Sequence, residues 1–123
     1  MIILDSNVWV ALLNKDDSQN LKAEKIIGTI NEKIIIPEYV VLETVSVLSI
    51  RVSKKAADNF LEFITENKEI VILNSSQELF DNAVDIYRKI VGNKLSFVDV
   101  YLLSLSGSYQ IITFDRELQK RLN

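Results

Sequence analysis

The sequence predicts a three-layer α/β fold, in which a central parallel sheet of four or five short strands is flanked by about seven helices. Two observations carry that prediction. Four short apolar runs rich in β-branched residues recur along the chain without polar alternation, as strands covered on both faces do. Between them lie segments whose apolar residues repeat at helical spacing, as helices laid against a sheet do.

In chain order, the first strand is Ile2-Ile3-Leu4, followed by the apolar run Val8 to Leu13. A helix with Ala23, Ile26, Ile27 and Ile30 on one face comes next, with Ser18 before it as a cap. The second strand, Ile34-Ile35-Ile36, leads into a helix over Glu38 to Ile50 that is apolar nearly all round. Ser53 then caps a helix carrying Ala57, Phe60, Leu61 and Ile64. After the third strand, Ile70 to Leu73, Ser75 and Glu78 form a capping box for a helix with Leu79, Ala83, Ile86, Tyr87 and Ile90. A helix over Leu95 to Leu103, a last strand Ile111-Ile112-Thr113 and a final helix complete the order, with Gly92 and Gly107 near helix ends. Each crossover is long enough for parallel pairing and is expected to be right-handed. With no repeat, low-complexity tract or linker, residues 1–123 read as one domain.

Composition narrows the chemistry. The 123 residues include no Cys and no His, which excludes Ser-His-Asp and thiol nucleophiles, paired-His ribonuclease chemistry and His/Cys zinc sites. Asp and Glu total 17 against 14 Lys and Arg, a net charge of -3, so a nucleic-acid partner requires a local basic patch or a bound cation. The longest apolar run, Val8 to Leu13, is far short of the about 18 residues of a spanning helix, and no basic leader precedes Asp5. No membrane segment is expected, and the lack of cysteine fits a cytoplasmic protein.

Carboxylates remain as the chemical groups. In a parallel sheet, ligands gather beyond the carboxyl ends of the strands, where Asp5 follows Leu4 and Asp115 follows Phe114. Each also precedes a helix and reads equally as an N-cap. Glu43 has Tyr39, Val40, Ser46 and Val47 as helical neighbours, so its charge needs an ion pair, a shifted pKa or a metal. Asp99 lies among Leu95, Ser96, Leu102 and Leu103, and Ser96 with Asp99 also fits a capping pattern. All four would meet at one sheet edge, where clustered carboxylates repel unless a cation neutralises them. An all-oxygen set selects Mg²⁺ or Mn²⁺, and such a site suits metal-assisted phosphodiester hydrolysis.

Taken together, Leu4-Asp5-Ser6-Asn7-Val8, Leu42-Glu43, Ser96-Phe97-Val98-Asp99 and Thr113-Phe114-Asp115-Arg116 resemble the PIN-domain family of metal-dependent nucleases. The small form looks most like the toxin subunit of VapBC-type toxin-antitoxin pairs. The resemblance spans nearly the whole chain. It implies that Asp5, Glu43 and Asp99 hold Mg²⁺ or Mn²⁺, that Asp115 completes the acidic pocket, and that Ser6, Asn7, Ser96 and Thr113 hydrogen-bond around it. It further implies an endoribonuclease acting on tRNA, rRNA or mRNA, leaving a 5′-phosphate and a 3′-hydroxyl, which forms a homodimer and is neutralised by an antitoxin protein. Two departures from the family pattern are the absence before Asn123 of a further short strand and the presence of Glu117 as a competitor for the fourth acidic role.

For RNA phosphates, Lys94 and Arg116 flank the acids in sequence, while Arg51, Lys54 and Lys55 form the densest basic cluster. Lys54 and Lys55 read more readily as a solvated helix face. Trp9 and Tyr39 read either as base-stacking residues or as core, and Val8 to Leu13 as core or as a dimer interface. The non-enzymatic alternative is a catalytically silent RNA-binding or partner-binding module that keeps its acids only as caps and ion pairs.

Overall fold

A computed structural model describes residues 1–92 and 94–122. The elements run β1 (Ile2–Leu4), α1 (Ser6–Leu13), α2 (Asn20–Thr29), β2 (Ile34–Pro37), α3 (Glu38–Arg51) and α4 (Lys54–Glu66), then β3 (Ile70–Leu73), α5 (Gln77–Lys89), α6 (Phe97–Leu105), β4 (Gln110–Ile112) and α7 (Arg116–Leu122). The sheet is parallel throughout, with spatial order β3-β2-β1-β4. Four strands and seven helices form the expected α/β architecture.

The strand order explains the layers. Right-handed crossovers from β1 to β2 and from β2 to β3 place α1 to α4 on one face. There α3 packs on α4 and α1 packs on both α2 and α3. The return from β3 to β4 crosses the opposite face, carrying α5 against α6 and α6 against α7. Because β2 and β4 flank β1, the chain reverses direction across the sheet at β1, the place beyond whose strand ends open parallel sheets hold ligands.

The two central strands are buried residue for residue. The third strand departs from expectation: Val71 and Ile72 are 40% and 41% exposed. The cause is position, since β3 is an edge strand and α5 packs mainly on α6. On the covered face, Trp9 of α1 is fully buried, with its ring 5.4 Å from that of Phe60 in edge-to-face contact. Trp9 is therefore core and takes no part in stacking on a ligand. Val8 and Ala11 of the same run are buried, and Val10, Leu12 and Leu13 pack against the core.

Two caps differ from the sequence reading. Ser76, not Ser75, caps α5 by accepting from the Leu79 N–H, while the Ser75 N–H reaches back to Glu38. Ser18 does not cap α2, which begins at Asn20 after Gln19. Asn20 is buried and donates to the Ala11 carbonyl at 2.8 Å, so a side chain ties α2 to the end of α1. Ser53 caps α4 as expected, and Gly92 takes a φ of 104°, which disfavours any side chain there. Gly107 has no such conformation. No helix is long and apolar enough to cross a membrane, among the described residues.

Candidate active site

Register builds the site. Leu4 pairs with Ile112, and one residue further along each strand stand Asp5 and Thr113, both buried. Pairing continues through the Asp5 N–H to the Ile112 carbonyl at 2.9 Å. The Thr113 hydroxyl donates to Asp5 Oδ2 at 2.7 Å, and Asp5 Oδ1 accepts the Ser6 N–H at 2.7 Å as the N-cap of α1. Asn7 braces the same corner: its Nδ2 donates to Thr113 Oγ1 at 3.2 Å, and its Oδ1 accepts the Phe114 N–H at 3.1 Å. Thr113 Oγ1 in turn accepts the Asp115 N–H at 3.1 Å.

Glu43 enters from α3, which starts immediately after β2 and so stands at the same sheet edge. The Ser6 hydroxyl donates to Glu43 Oε1 and lies 3.5 Å from Asp5 Oδ1, bridging the two acids. Asp99 enters from the first turn of α6 on the other helical layer. Ser96 and Asp99 form a capping box, the Asp99 N–H donating to Ser96 Oγ at 3.2 Å and the Ser96 N–H to Asp99 Oδ2 at 3.0 Å. Asp115 likewise caps α7, its Oδ1 accepting the Glu117 N–H at 3.0 Å.

Capping and site-building are compatible because a carboxylate has two oxygens. In Asp99, Asp115 and Glu43 one oxygen is engaged, and the other carries no hydrogen bond among the described residues. Burial pushes the Asp5 carboxyl above the usual carboxylate range. The Thr113 hydroxyl and the Ser6 N–H pull it down, and the charges of Glu43 and Asp99 push it further up. Asp5, Glu43 and Asp99 thus share one field, whereas Asp115 is joined to Asp5 through Thr113.

Among the described residues no Lys or Arg forms an ion pair with any of these four acids. No three of the acids stand close enough to make a finished cation cage. Oxygen donors alone, uncompensated negative charge and a part-buried crevice together fit a hard divalent cation better than they fit structural ion pairs. Glu117 is differently placed, 3.5 Å from the Lys120 ammonium.

The basic candidates separate. Lys94 and Arg116 are exposed, preceding α6 and opening α7 on the acidic edge. Arg51 is exposed at the far end of α3, eight residues or about 12 Å of helix beyond Glu43. It sits towards the opposite edge of the sheet, because α3 runs back along it. Lys54 pairs with Asp58 at 2.7 Å. Sequence reading missed Lys22 of α2, whose Nζ lies 5.2 Å from the centre of the Phe114 ring, next to Asp115. Its only sequence signal was one of two lysines in an amphipathic helix, which does not reveal a contact across the fold.

Comparison with known proteins agrees with this geometry. Residues 2–122 match the PIN domain family. No curated protein matches. The crystal structure of VapC20 from Mycobacterium tuberculosis, a sarcin-ricin loop cleaving toxin, superposes with a TM-score of 0.88 at 19% identity, over 98% of this chain and 94% of that one. VapBC2 from Rickettsia felis, bound to a DNA fragment from its promoter, superposes with a TM-score of 0.66 at 16% identity, over 98% and 92%. At these identities the likeness is one of fold.

Proposed function

This chain belongs to the PIN-domain family, and on that premise we propose that it is a divalent-metal-dependent endoribonuclease of the VapC toxin type. One observation carries the reading: Asp5, Glu43 and Asp99 share one field at the sheet's reversal point, with no cationic side chain paired to them among the described residues. Asp5, Glu43 and Asp99 would hold Mg²⁺ or Mn²⁺, with Asp115 as the fourth acid. Glu117 is the weaker contender for that role because Lys120 already engages it.

When bound, the cation supplies a water of lowered pKa and neutralises charge that grows on the phosphoryl oxygens. The chain's own residues orient the acids. Thr113 and the Ser6 N–H fix the plane of the Asp5 carboxylate, and the Ser6 hydroxyl turns Glu43 towards it. Asn7 and Ser96 hold the backbone from which Asp115 and Asp99 project. Lys22, Lys94 and Arg116 at the rim attract the phosphate backbone; Arg51, at the far end of α3, is outside this set. Water oxygen bonds to phosphorus as the bond from phosphorus to O3′ breaks. The water gives up one proton to solvent and O3′ takes one up from it, leaving a 3′-hydroxyl and a 5′-phosphate.

The proposal extends to tRNA, rRNA or mRNA as substrate, an antitoxin protein as partner and a homodimer as the working form; of the proteins that share the fold, VapC20 is a sarcin-ricin loop cleaving toxin and VapBC2 is a complex bound to promoter DNA. The decisive experiment incubates purified protein with total tRNA and rRNA in Mg²⁺, Mn²⁺ or EDTA, beside Asp5→Asn and Asp99→Asn. Metal-dependent cuts that disappear in both variants are expected. Folded protein that cuts nothing in any metal overturns the enzyme in favour of a binding module.

A further inference from the structure

Beside the carboxylates lies a cavity of about 220 Å³ lined by Tyr39, Ser75, Phe80, Phe97, Val98 and Tyr101. Two aromatic pairs build its wall: Tyr39 with Tyr101, ring centres 4.5 Å apart, and Phe80 with Phe97, 5.8 Å apart. Phe80 is 47% exposed, so this cluster opens to solvent and leaves much of the gain from burying a phenylalanine unrealised. The helices that carry Glu43 and Asp99 also line the cavity. Phe97 and Val98 immediately precede Asp99 in the first turn of α6, and Tyr39 lies one helical turn before Glu43 on α3. The Tyr39 phenol stands in the field of Asp5, Glu43 and Asp99, and its enclosed hydroxyl has no hydrogen-bond partner among the described residues. An enclosed hydroxyl left unpaired costs about 1–3 kcal/mol.

We propose that this cavity receives one unstacked base of a single-stranded RNA, beside the phosphate on which the carboxylates act. The inference rests on the ribonuclease reading and adds to it a subsite for specificity. Two features select a nucleobase. Aromatic walls stack on any base, a contact worth about 1–3 kcal/mol, or roughly fivefold to a hundredfold in affinity. A base seated there is covalently tied to a phosphate at the neighbouring acids.

The test titrates the protein, with Ca²⁺ in place of Mg²⁺, into a short single-stranded RNA bearing one central 2-aminopurine, whose fluorescence falls on stacking. Wild type is expected to quench it saturably. Phe80→Ala and Phe97→Leu should bind at least about fivefold more weakly, while Tyr39→Phe, which keeps the ring, should quench as wild type does. Melting curves check that each variant folds, and if Phe97→Leu does not, the half-exposed Phe80 carries the test. Cleavage of total RNA in Mg²⁺ by wild type and Asp99→Asn reports separately on the enzyme. Cutting without quenching overturns the base subsite alone, and quenching without cutting overturns the nuclease alone. Equal quenching by all variants overturns the subsite. So does tighter binding of a phenylalanine-bearing peptide that excludes the probe, which assigns the cavity to a protein partner.

Discussion

A cation held by Asp5, Glu43 and Asp99 makes thermal stability depend on its concentration in a way that can be calculated. Asp5 is 4% exposed, and burial together with the Glu43 and Asp99 charges raises its pKa from the ordinary value of 3.8. A raised carboxylate pKa means that the folded chain binds the proton more tightly than the unfolded one. The group's contribution is therefore most favourable below 3.8 and is lost as pH rises through the folded value, so at neutral pH ionised Asp5 destabilises the cation-free protein. A ligand that binds only the folded state adds RT ln(1 + [L]/Kd), about 1.4 kcal/mol for each tenfold rise in concentration above Kd. An unfolding entropy of about 2.1 cal/mol/K per residue, taken over 123 residues, converts this to about 5 °C per decade whatever the Kd. Two independent ions would double the slope. Differential scanning of the protein in Mn²⁺ from micromolar to millimolar reads that slope directly. In Asp5→Asn it should fall below about 1 °C per decade, while the asparagine still caps α1. A wild-type melting temperature indifferent to Mn²⁺, or an equal slope in the variant, refutes the reasoning.

Other outcomes follow from single contacts. The stability advantage of Asp5→Asn over wild type in EDTA should be largest at neutral pH and close as pH falls and Asp5 takes up its proton, measured by urea unfolding across the range. Asp115→Ser keeps an oxygen to accept the Glu117 N–H and removes the charge, so the fold should persist and RNA cleavage fall at least about tenfold if the fourth acid stabilises the reacting charge. Thr44 is fully buried with its hydroxyl unpaired among the described residues, so Thr44→Val should raise stability by about 1 kcal/mol in denaturant titration. Trp9→Ala should lower stability by about 3–5 kcal/mol in the same measurement through loss of the Phe60 contact and its cavity.

The sequence was most informative where periodicity and burial coincide. Ile2-Ile3-Leu4 and Ile34-Ile35-Ile36 announce central strands because every one of their residues is buried. Ile70 to Leu73 has the same composition but occupies an edge, and composition alone does not rank strands across a sheet. Cap positions failed by one residue at Ser75, where a neighbouring serine offers the same oxygen with better placement. Among the acids, Asp5 stood out as a candidate from its place after a strand, and Glu43 and Asp99 from their apolar helical neighbours. The contacts between layers were not: Lys22 over Phe114 and Tyr39 against Tyr101 each join elements far apart in the chain, and no local pattern encodes such pairs. Arg51 misled for the converse reason, since a helix that begins at the site carries its last residue away from it.

The competition between a capping role and a site role for these aspartates dissolves on inspection of their oxygens. A helix that starts at the carboxyl edge of a parallel sheet needs an acceptor for its first N–H groups, and a short acid supplies one. In Asp99 and Asp115 that bond fixes one oxygen and orients the carboxylate, leaving the second without a hydrogen bond among the described residues. Asp5 differs, because Thr113 and Ser6 engage both of its oxygens while Glu43 and Asp99 repel its charge. The same local chemistry that ends a strand and begins a helix thus presents pre-oriented negative charge in the crevice. Pre-orientation is costly only while that charge goes unneutralised, which makes a cation the natural complement of the fold's own capping requirements.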